Sequence, residues 1–302
     1  MPTLKPILLV SGLGNGVGIG GACARLFSLE GYRIGLISRP RQDIHDLCTE
    51  LNRKGGEVKV FSVQVFDYEN LERVFGEIER DEEGEGGEGL FPNRAVGGRS
   101  RLKGQVPHSR PTWVWRESSN DRLPNKSKKP SLPLRSNIPF LDIKESDIRA
   151  STQINIISAT AFAQHAVRMF LEKPASEAKE DAVGGTLIIT GATSATRGAL
   201  GFGAFAAGKS GLRALSQSIA REFGPQGVHV AFVIVDGTIK TKATARLFSN
   251  RHERSQDGKS WLDDETLALQ PGSIAKLYKY LNEQDPSEWT LEMDLRPAKE
   301  KF

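Results

Sequence analysis

The sequence predicts an α/β fold, a three-layer doubly wound parallel sheet of about seven strands with an irregular insertion at the fourth strand. Three observations predict it. Short apolar runs alternate with amphipathic stretches of helical length, an order that requires a parallel sheet with right-handed crossovers. The first apolar run passes into a glycine-rich turn and then a helix. The alternation is interrupted once, from Glu82 to Asn137, by polar and basic residues, and then resumes to the end.

The first strand is the apolar run Ile7–Val10, closed by Ser11, and glycine then stands at every second position from Gly12 to Gly20. Glycine adopts φ > 0 without penalty and lets phosphate oxygens approach the backbone N–H groups. The helix from Ala22 then directs its unpaired N–H groups and positive dipole end at that anion. The turn, with Gly12, Asn15, Gly16, Val17 and Gly18, is the expected diphosphate site. A flexible glycine loop is the alternative, and the strand and helix in register around the turn argue against it.

Tyr32–Ser38 is the second strand, introduced by Gly31, which closes the first helix. In a doubly wound dinucleotide fold the end of this strand faces the adenosine ribose, where an acid suits NAD and a cation suits NADP. Arg39 and Arg41 follow the strand and no acid stands at Ile37, Ser38 or Arg39, so NADP(H) is expected in preference to NAD(H), with Arg39 as the cation. The alternative is that these arginines cap a solvated loop. Arg41–Lys54 is an amphipathic helix on Ile44, Leu47, Cys48 and Leu51, Val58–Val65 a third strand, and Asn70–Asp81 a further helix.

The composition of Glu82–Asn137 cannot bury enough surface to offset the entropy of ordering it, which predicts disorder. The net charge of +4 belongs to this segment: Gly89–Asn137 holds eleven Lys/Arg against two Asp/Glu, a balance of +9 that leaves about −5 elsewhere. A nucleic-acid or membrane patch is the alternative, but Trp113 and Trp115 sit together rather than interleaved with the cations. A central strand is still required, since without it the sheet would carry an exposed edge where its core should be. Thr112–Arg116 is the candidate.

Beyond Pro139, Ile148–Leu171 reads as one long helix, in which Asn155 on an apolar stretch needs a buried partner. Gly184–Gly191 is the fifth strand, Ala204–Phe223 a helix, Val228–Val235 the sixth strand, Ile274–Asn282 a short helix and Trp289–Leu295 the seventh strand. At 302 residues and 33.1 kDa the chain suits a single domain over 1–302. No apolar stretch reaches the roughly 18 residues of a membrane span. Two cysteines, Cys23 and Cys48, both in expected helices, suggest reduced thiols and a cytoplasmic protein.

Ser11-Gly12, Gly16 and Gly18 follow the pattern T-G-x-x-x-G-x-G with serine for threonine, and Asp236-Gly237 to Thr241 follows P-G-x-x-x-T with aspartate for proline. In these motifs the chain resembles the short-chain dehydrogenase/reductase family, Rossmann-like NAD(P)-binding oxidoreductases. Its Phe205-Ala-Ala-Gly-Lys209 and its ending from Ser287 to Pro297 resemble a divergent subgroup with F-A-A-x-K in place of Y-x-x-x-K. The resemblance implies that Gln64 and Val65 hold the adenine, and that Asn155 kinks its helix and holds a water in the proton path. It implies that Lys209 holds the nicotinamide ribose, and that Ile239 and Thr241 bind the carboxamide. Phe205 stands at the tyrosine position and has no ionisable group, so the usual general acid is absent.

The family's substrate-binding serine aligns to Gly191 or Ala192, with Thr190, Thr193, Ser194 and Thr196 near enough to substitute as hydrogen-bond donors. None of Tyr32, Tyr68, Tyr278 and Tyr280 lies in a segment expected near the cleft, and the family's N-N-A-G turn after the fourth strand is missing. The expected catalytic set is Asn155, Lys209, Phe205 as an inactive substitute, Thr193 and Ser194, without a metal. The expected function is an NADP-dependent oxidoreductase acting on a small carbonyl or alcohol; the alternative is an NADP-binding protein without redox turnover, such as a scaffold, an isomerase or a cyclase. A homodimer or homotetramer is implied, paired through the helices at Ile148–Leu171 and Ala204–Phe223.

Overall fold

The computed structural model describes residues 5–83, 112–115, 138–172, 184–247 and 260–299. Within them, seven parallel strands form one sheet in the order β3-β2-β1-β4-β5-β6-β7: β1 Ile7–Ser11, β2 Arg33–Ser38, β3 Glu57–Ser62, β4 Thr112–Trp115, β5 Gly185–Thr190, β6 Val228–Val235 and β7 Glu292–Leu295. The chain leaves β1 toward one edge and returns through β4 toward the other. The reversal between β1 and β4 makes the crevice at the strands' carboxyl ends a ligand site of open α/β sheets.

Alternate residues of each strand face opposite sides. Leu9 enters a core with Phe75, Trp113, Phe162, Phe170, Leu187 and Phe232. Leu8 and Val10 enter a second core with Phe27, Ile34, Val114, Val233 and Tyr278. The helices are α1 Ile19–Leu29, α2 Gln42–Arg53, α3 Tyr68–Glu83, α4 Glu145–Thr152, α5 Ser158–Leu171, α6 Gly203–Phe223, α7 Lys242–Leu247 and α8 Pro271–Glu283. Helices α3, α5 and α6 pack on the first core and α1, α2 and α8 on the second, giving three layers.

Thr112–Trp115 fills the central slot. Leu9 and Val10 pair with Trp113 and Val114, and Trp113 and Val114 pair in turn with Leu187 and Ile188. Trp113 and Trp115 are each 2% exposed, so neither can stack on a base or enter a membrane, which removes the aromatic part of that alternative. Trp113 stacks on Phe75 at 5.2 Å and meets Phe170 edge-on at 5.1 Å. Apart from this strand and the end of α3, the stretch 82–137 lies outside the described residues, and so does the expectation of disorder there.

Three expected boundaries are corrected. The third strand stops at Ser62 rather than Val65, because after the link from Val63 N–H to the Ser38 carbonyl (2.9 Å) the chain turns toward α5, where the Phe66 carbonyl accepts from Ser158 Oγ. Ile148–Leu171 is not one α-helix: a π turn at Gln153–Ile157 separates α4 from α5. The seventh strand begins at Glu292 rather than Trp289, since Thr290 is first tied to Gln284 (N–H to Oε1, 2.9 Å) and Trp289 stacks on His229 at 5.0 Å.

Candidate active site

The glycine turn joins β1 to α1 with Gly12, Gly14 and Gly16 at φ of 79°, 61° and 75°. Gly18 caps α1 with no side-chain hydrogen bond, so among the described residues no N-cap side chain covers the first-turn N–H groups. The helix lies hard against the turn: a Cβ on Gly21 would stand 1.9 Å from the Gly16 carbonyl oxygen. Arg25 Nη1 donates to that carbonyl at 2.7 Å, and Arg25 Nη2 pairs with Glu50 Oε2 at 2.8 Å, fastening the turn to α2. Arg25, and then Lys54 at 2.8 Å, hold the Glu50 carboxyl at about 2, well below its usual range. Asn15 is half-buried and Val17 exposed at the crest of the turn. Ser11 Oγ is fully buried without a hydrogen-bond partner among the described residues. Open N–H groups, a side-chain-free cradle and an orphaned hydroxyl fit a diphosphate.

At the end of β2, Arg41 pairs with Asp43 through two bonds of 2.9 and 2.7 Å, and Arg39, the first residue past the strand, is half-buried. Gln64 is exposed and Val65 half-buried on the segment after β3. That segment is tied to the π turn, because Gln153 Nε2 donates to the Phe66 carbonyl at 3.4 Å, beside the bond from Ser158 Oγ.

Asn155 lies on the π turn, 0% exposed, and its Nδ2 donates to the Ser151 carbonyl at 3.0 Å. Its Oδ1 is buried with no partner among the described residues, an acceptor whose desolvation is uncompensated unless a donor reaches it. Helix α6 crosses at contact distance: a Cβ on Gly208 would lie 2.3 Å from Ser151 Oγ and 2.9 Å from Asn155 Nδ2. On α6, Lys209 is 3% exposed, its Nζ 3.3 Å from the Thr190 carbonyl at the end of β5 and 5.8 Å from the centroid of the Phe205 ring. An ammonium at that distance is attracted by the ring face. The lysine thus lies against an aromatic ring that carries no hydroxyl.

The loop after β5 corrects part of the expectation. A Cβ on Gly191 would stand 2.4 Å from the Phe232 ring, so a serine there would need Phe232 to move. Thr190 Oγ1 is engaged with Tyr278 Oη at 2.7 Å, and Thr196 Oγ1 with the Thr193 carbonyl at 2.9 Å. Tyr278 reaches the end of β5 from α8 beneath the sheet, with no exposed surface. Ser194 is 8% exposed. Thr193 is half-exposed, and its Oγ1 donates to Asp236 Oδ1, whose Oδ2 pairs with Arg296 Nη2 at 3.1 Å.

Past β6, Ile239 bridges Leu269, and its carbonyl accepts from Thr244 Oγ1 at 2.6 Å. Thr241 Oγ1 accepts from the Thr244 N–H at 3.1 Å and so caps α7, a task besides the ligand contact expected of it. Among the described residues no group of three His, Cys, Asp or Glu side chains could hold a metal ion, and no helix is long and apolar enough to cross a membrane.

The fold therefore brings the glycine turn, Asn155, Lys209 and the Thr193 loop to the carboxyl edge of one parallel sheet, the arrangement of a dinucleotide-dependent oxidoreductase. The family model described as Enoyl-(Acyl carrier protein) reductase matches residues 132–290, just over half of the chain. The chain belongs to the short-chain dehydrogenase/reductase family, whose members use NAD(P). It is 24% identical over 242 residues to an uncharacterized oxidoreductase of Mycobacterium tuberculosis, a match covering 79% of this chain and 75% of that protein. Among solved structures, a short-chain dehydrogenase from Rhodopseudomonas palustris is similar with a TM-score of 0.63 at 20% identity, covering 98% of this chain and 100% of that one. An alcohol dehydrogenase from the archaeon Thermococcus sibiricus, complexed with 5-hydroxy-NADP, gives 0.64 at 16% identity and 98% of both chains.

Proposed function

We infer that this oxidoreductase uses NADP(H) in preference to NAD(H) and acts on a small carbonyl or alcohol. The observation that carries the reading is Lys209: a 3% exposed ammonium held against the end of β5 and the Phe205 ring, at the same sheet edge as a turn fit for a diphosphate. Its ammonium donates to the Thr190 carbonyl at 3.3 Å, which fixes it at the carboxyl edge of the sheet, where the family's lysine holds the nicotinamide ribose. Gly12, Asn15, Gly16, Val17 and Gly18 hold the diphosphate, Arg39 the ribose phosphate, and Gln64 and Val65 the adenine. Asn155, Lys209, Ile239 and Thr241 hold the nicotinamide end.

When bound, the dinucleotide supplies the hydride acceptor or donor. The chain's residues exclude water, orient the substrate through the loop with Thr193 and Ser194, and manage the proton. Phe205 cannot donate one, so turnover is slower than with a tyrosine. Pairing of two or four copies through α5 and α6 and a cytoplasmic location, in keeping with Cys23 and Cys48 being outside any disulfide, complete the reading.

Titration of the purified protein with NADPH and NADH, followed by nicotinamide fluorescence, tests it. Micromolar or tighter binding with NADPH preferred is expected, with slow turnover of simple alcohols or carbonyls. Binding without turnover of any such substrate would favour a cofactor-binding protein lacking redox activity. No binding of either dinucleotide contradicts both.

A further inference from the structure

Thr193 and Asp236 stand on neighbouring strand ends, Thr193 three residues beyond β5 and Asp236 directly after β6. Asp236 is 6% exposed, and its backbone N–H is fixed by the Leu295 carbonyl at 2.7 Å. Both carboxylate oxygens are in use, Oδ1 by Thr193 Oγ1–H and Oδ2 by Arg296 Nη2, which also pairs with Asp294 at 3.0 Å. A carboxylate only accepts hydrogen bonds, and a hydroxyl has a single proton to give. Thr193 therefore spends its proton on Asp236 and can only accept from anything else. A lone pair at that place attracts an alcohol O–H and repels a carbonyl oxygen.

We propose that Asp236 is a positioning residue that acts through Thr193 to make the site select alcohols and carry their proton away during oxidation. The inference rests on the oxidoreductase reading above. The alcohol's C–H bond breaks with its electron pair leaving as hydride to an oxidised nicotinamide dinucleotide, and its O–H bond breaks as the C=O bond forms. That proton passes to Thr193 Oγ1 while the proton of Thr193 passes to Asp236 Oδ1. The carbon is oxidised, the dinucleotide is reduced, and the carboxylate ends as a carboxylic acid.

The test is Asp236→Asn. Arg296 retains the amide oxygen, so the amide nitrogen turns to Thr193 Oγ1, and the threonine proton becomes available to a carbonyl. Ligand-observed NMR titration with cyclohexanol and cyclohexanone reads this polarity on the protein loaded with dinucleotide, independently of turnover. The wild type is expected to favour the alcohol, and D236N to shift the alcohol-to-ketone affinity ratio toward the ketone by about tenfold. Alcohol oxidation falls by about 10² to 10³, and the curved dependence on deuterium content expected of two moving protons becomes linear. An unchanged affinity ratio and an unchanged isotope curve in D236N overturn the proposal. If D236N does not fold, Thr193→Ser and Thr193→Val decide: the alcohol preference retained in Ser and lost in Val supports it, and the same result in both overturns it. A wild type that binds no dinucleotide sinks the oxidoreductase reading itself, whereas a wild type that binds and turns over, with the ratio unmoved by D236N, sinks only this inference.

Discussion

The glycine turn and the face of α6 that carries Phe205 and Lys209 meet the same edge of the sheet, but they are built from different parts of the chain. The turn is made of backbone, with three glycines at positive φ and a helix whose N-cap makes no side-chain hydrogen bond. The α6 face is made of side chains, with the Lys209 ammonium against the Phe205 ring, and the loop beyond β5 adds the Thr193 hydroxyl bonded to Asp236. A backbone site persists as long as nothing larger than hydrogen intrudes. A side-chain site can keep its geometry and lose its chemistry with one atom. On the proposed function, binding and catalysis are separable, and substitutions in the two regions are expected to divide accordingly.

The largest effect falls on the turn. Gly21→Ala places a methyl group 1.9 Å from the Gly16 carbonyl oxygen, so α1 must shift, with a cost of about 3 kcal/mol by overpacking. Urea denaturation is expected to show that loss, and nicotinamide fluorescence to show no dinucleotide binding; binding at wild-type affinity would mean that the turn does not hold the diphosphate. Next comes Lys209→Met, which keeps the aliphatic stem near Phe205 but removes the ammonium. A loss of about 10²-fold in kcat/KM is expected, with folding retained; if steady-state kinetics show no change, the α6 face has no part in the reaction.

The smallest effect is at the latch behind the turn. Glu50 has its folded pKa lowered to about 2 by Arg25 and then Lys54, below the roughly 4.3 of an unfolded glutamate. Its contribution is thus complete above about 4.3 and is lost as pH falls through about 2. With the carboxylate a third exposed, solvent screening keeps that contribution below about 1 kcal/mol. Denaturation of wild type and Glu50→Gln should differ by that amount at pH 6 and converge between pH 4 and pH 2; a difference independent of pH would assign it to packing.

What the sequence discloses follows the same division. Glycine spacing reports backbone conformation directly, so the turn was legible, as were the strands buried on both faces and the helix that carries Lys209. The four-residue β4 was legible only through the need for a central strand, since Thr112–Trp115 is too short to show a period. The π turn at Gln153–Ile157 was hidden because one extra residue per turn barely disturbs a helical pattern, although the resemblance had implied a kink at Asn155. Thr193 with Asp236 and Thr190 with Tyr278 were out of reach, being 43 and 88 residues apart. Only the fold joins them. Thr193 was expected to supply a substitute hydroxyl; in the fold that hydroxyl donates to Asp236, a partner its sequence neighbourhood does not show.

The separation of binding from chemistry is tested most directly by Phe205→Tyr, measured for NADPH affinity and for turnover in the same preparation. The account predicts an unchanged dissociation constant, within about twofold, and a turnover raised by about 10² or more as a phenol rejoins Lys209. No gain in turnover, or a gain that appears only with tighter dinucleotide binding, would contradict it.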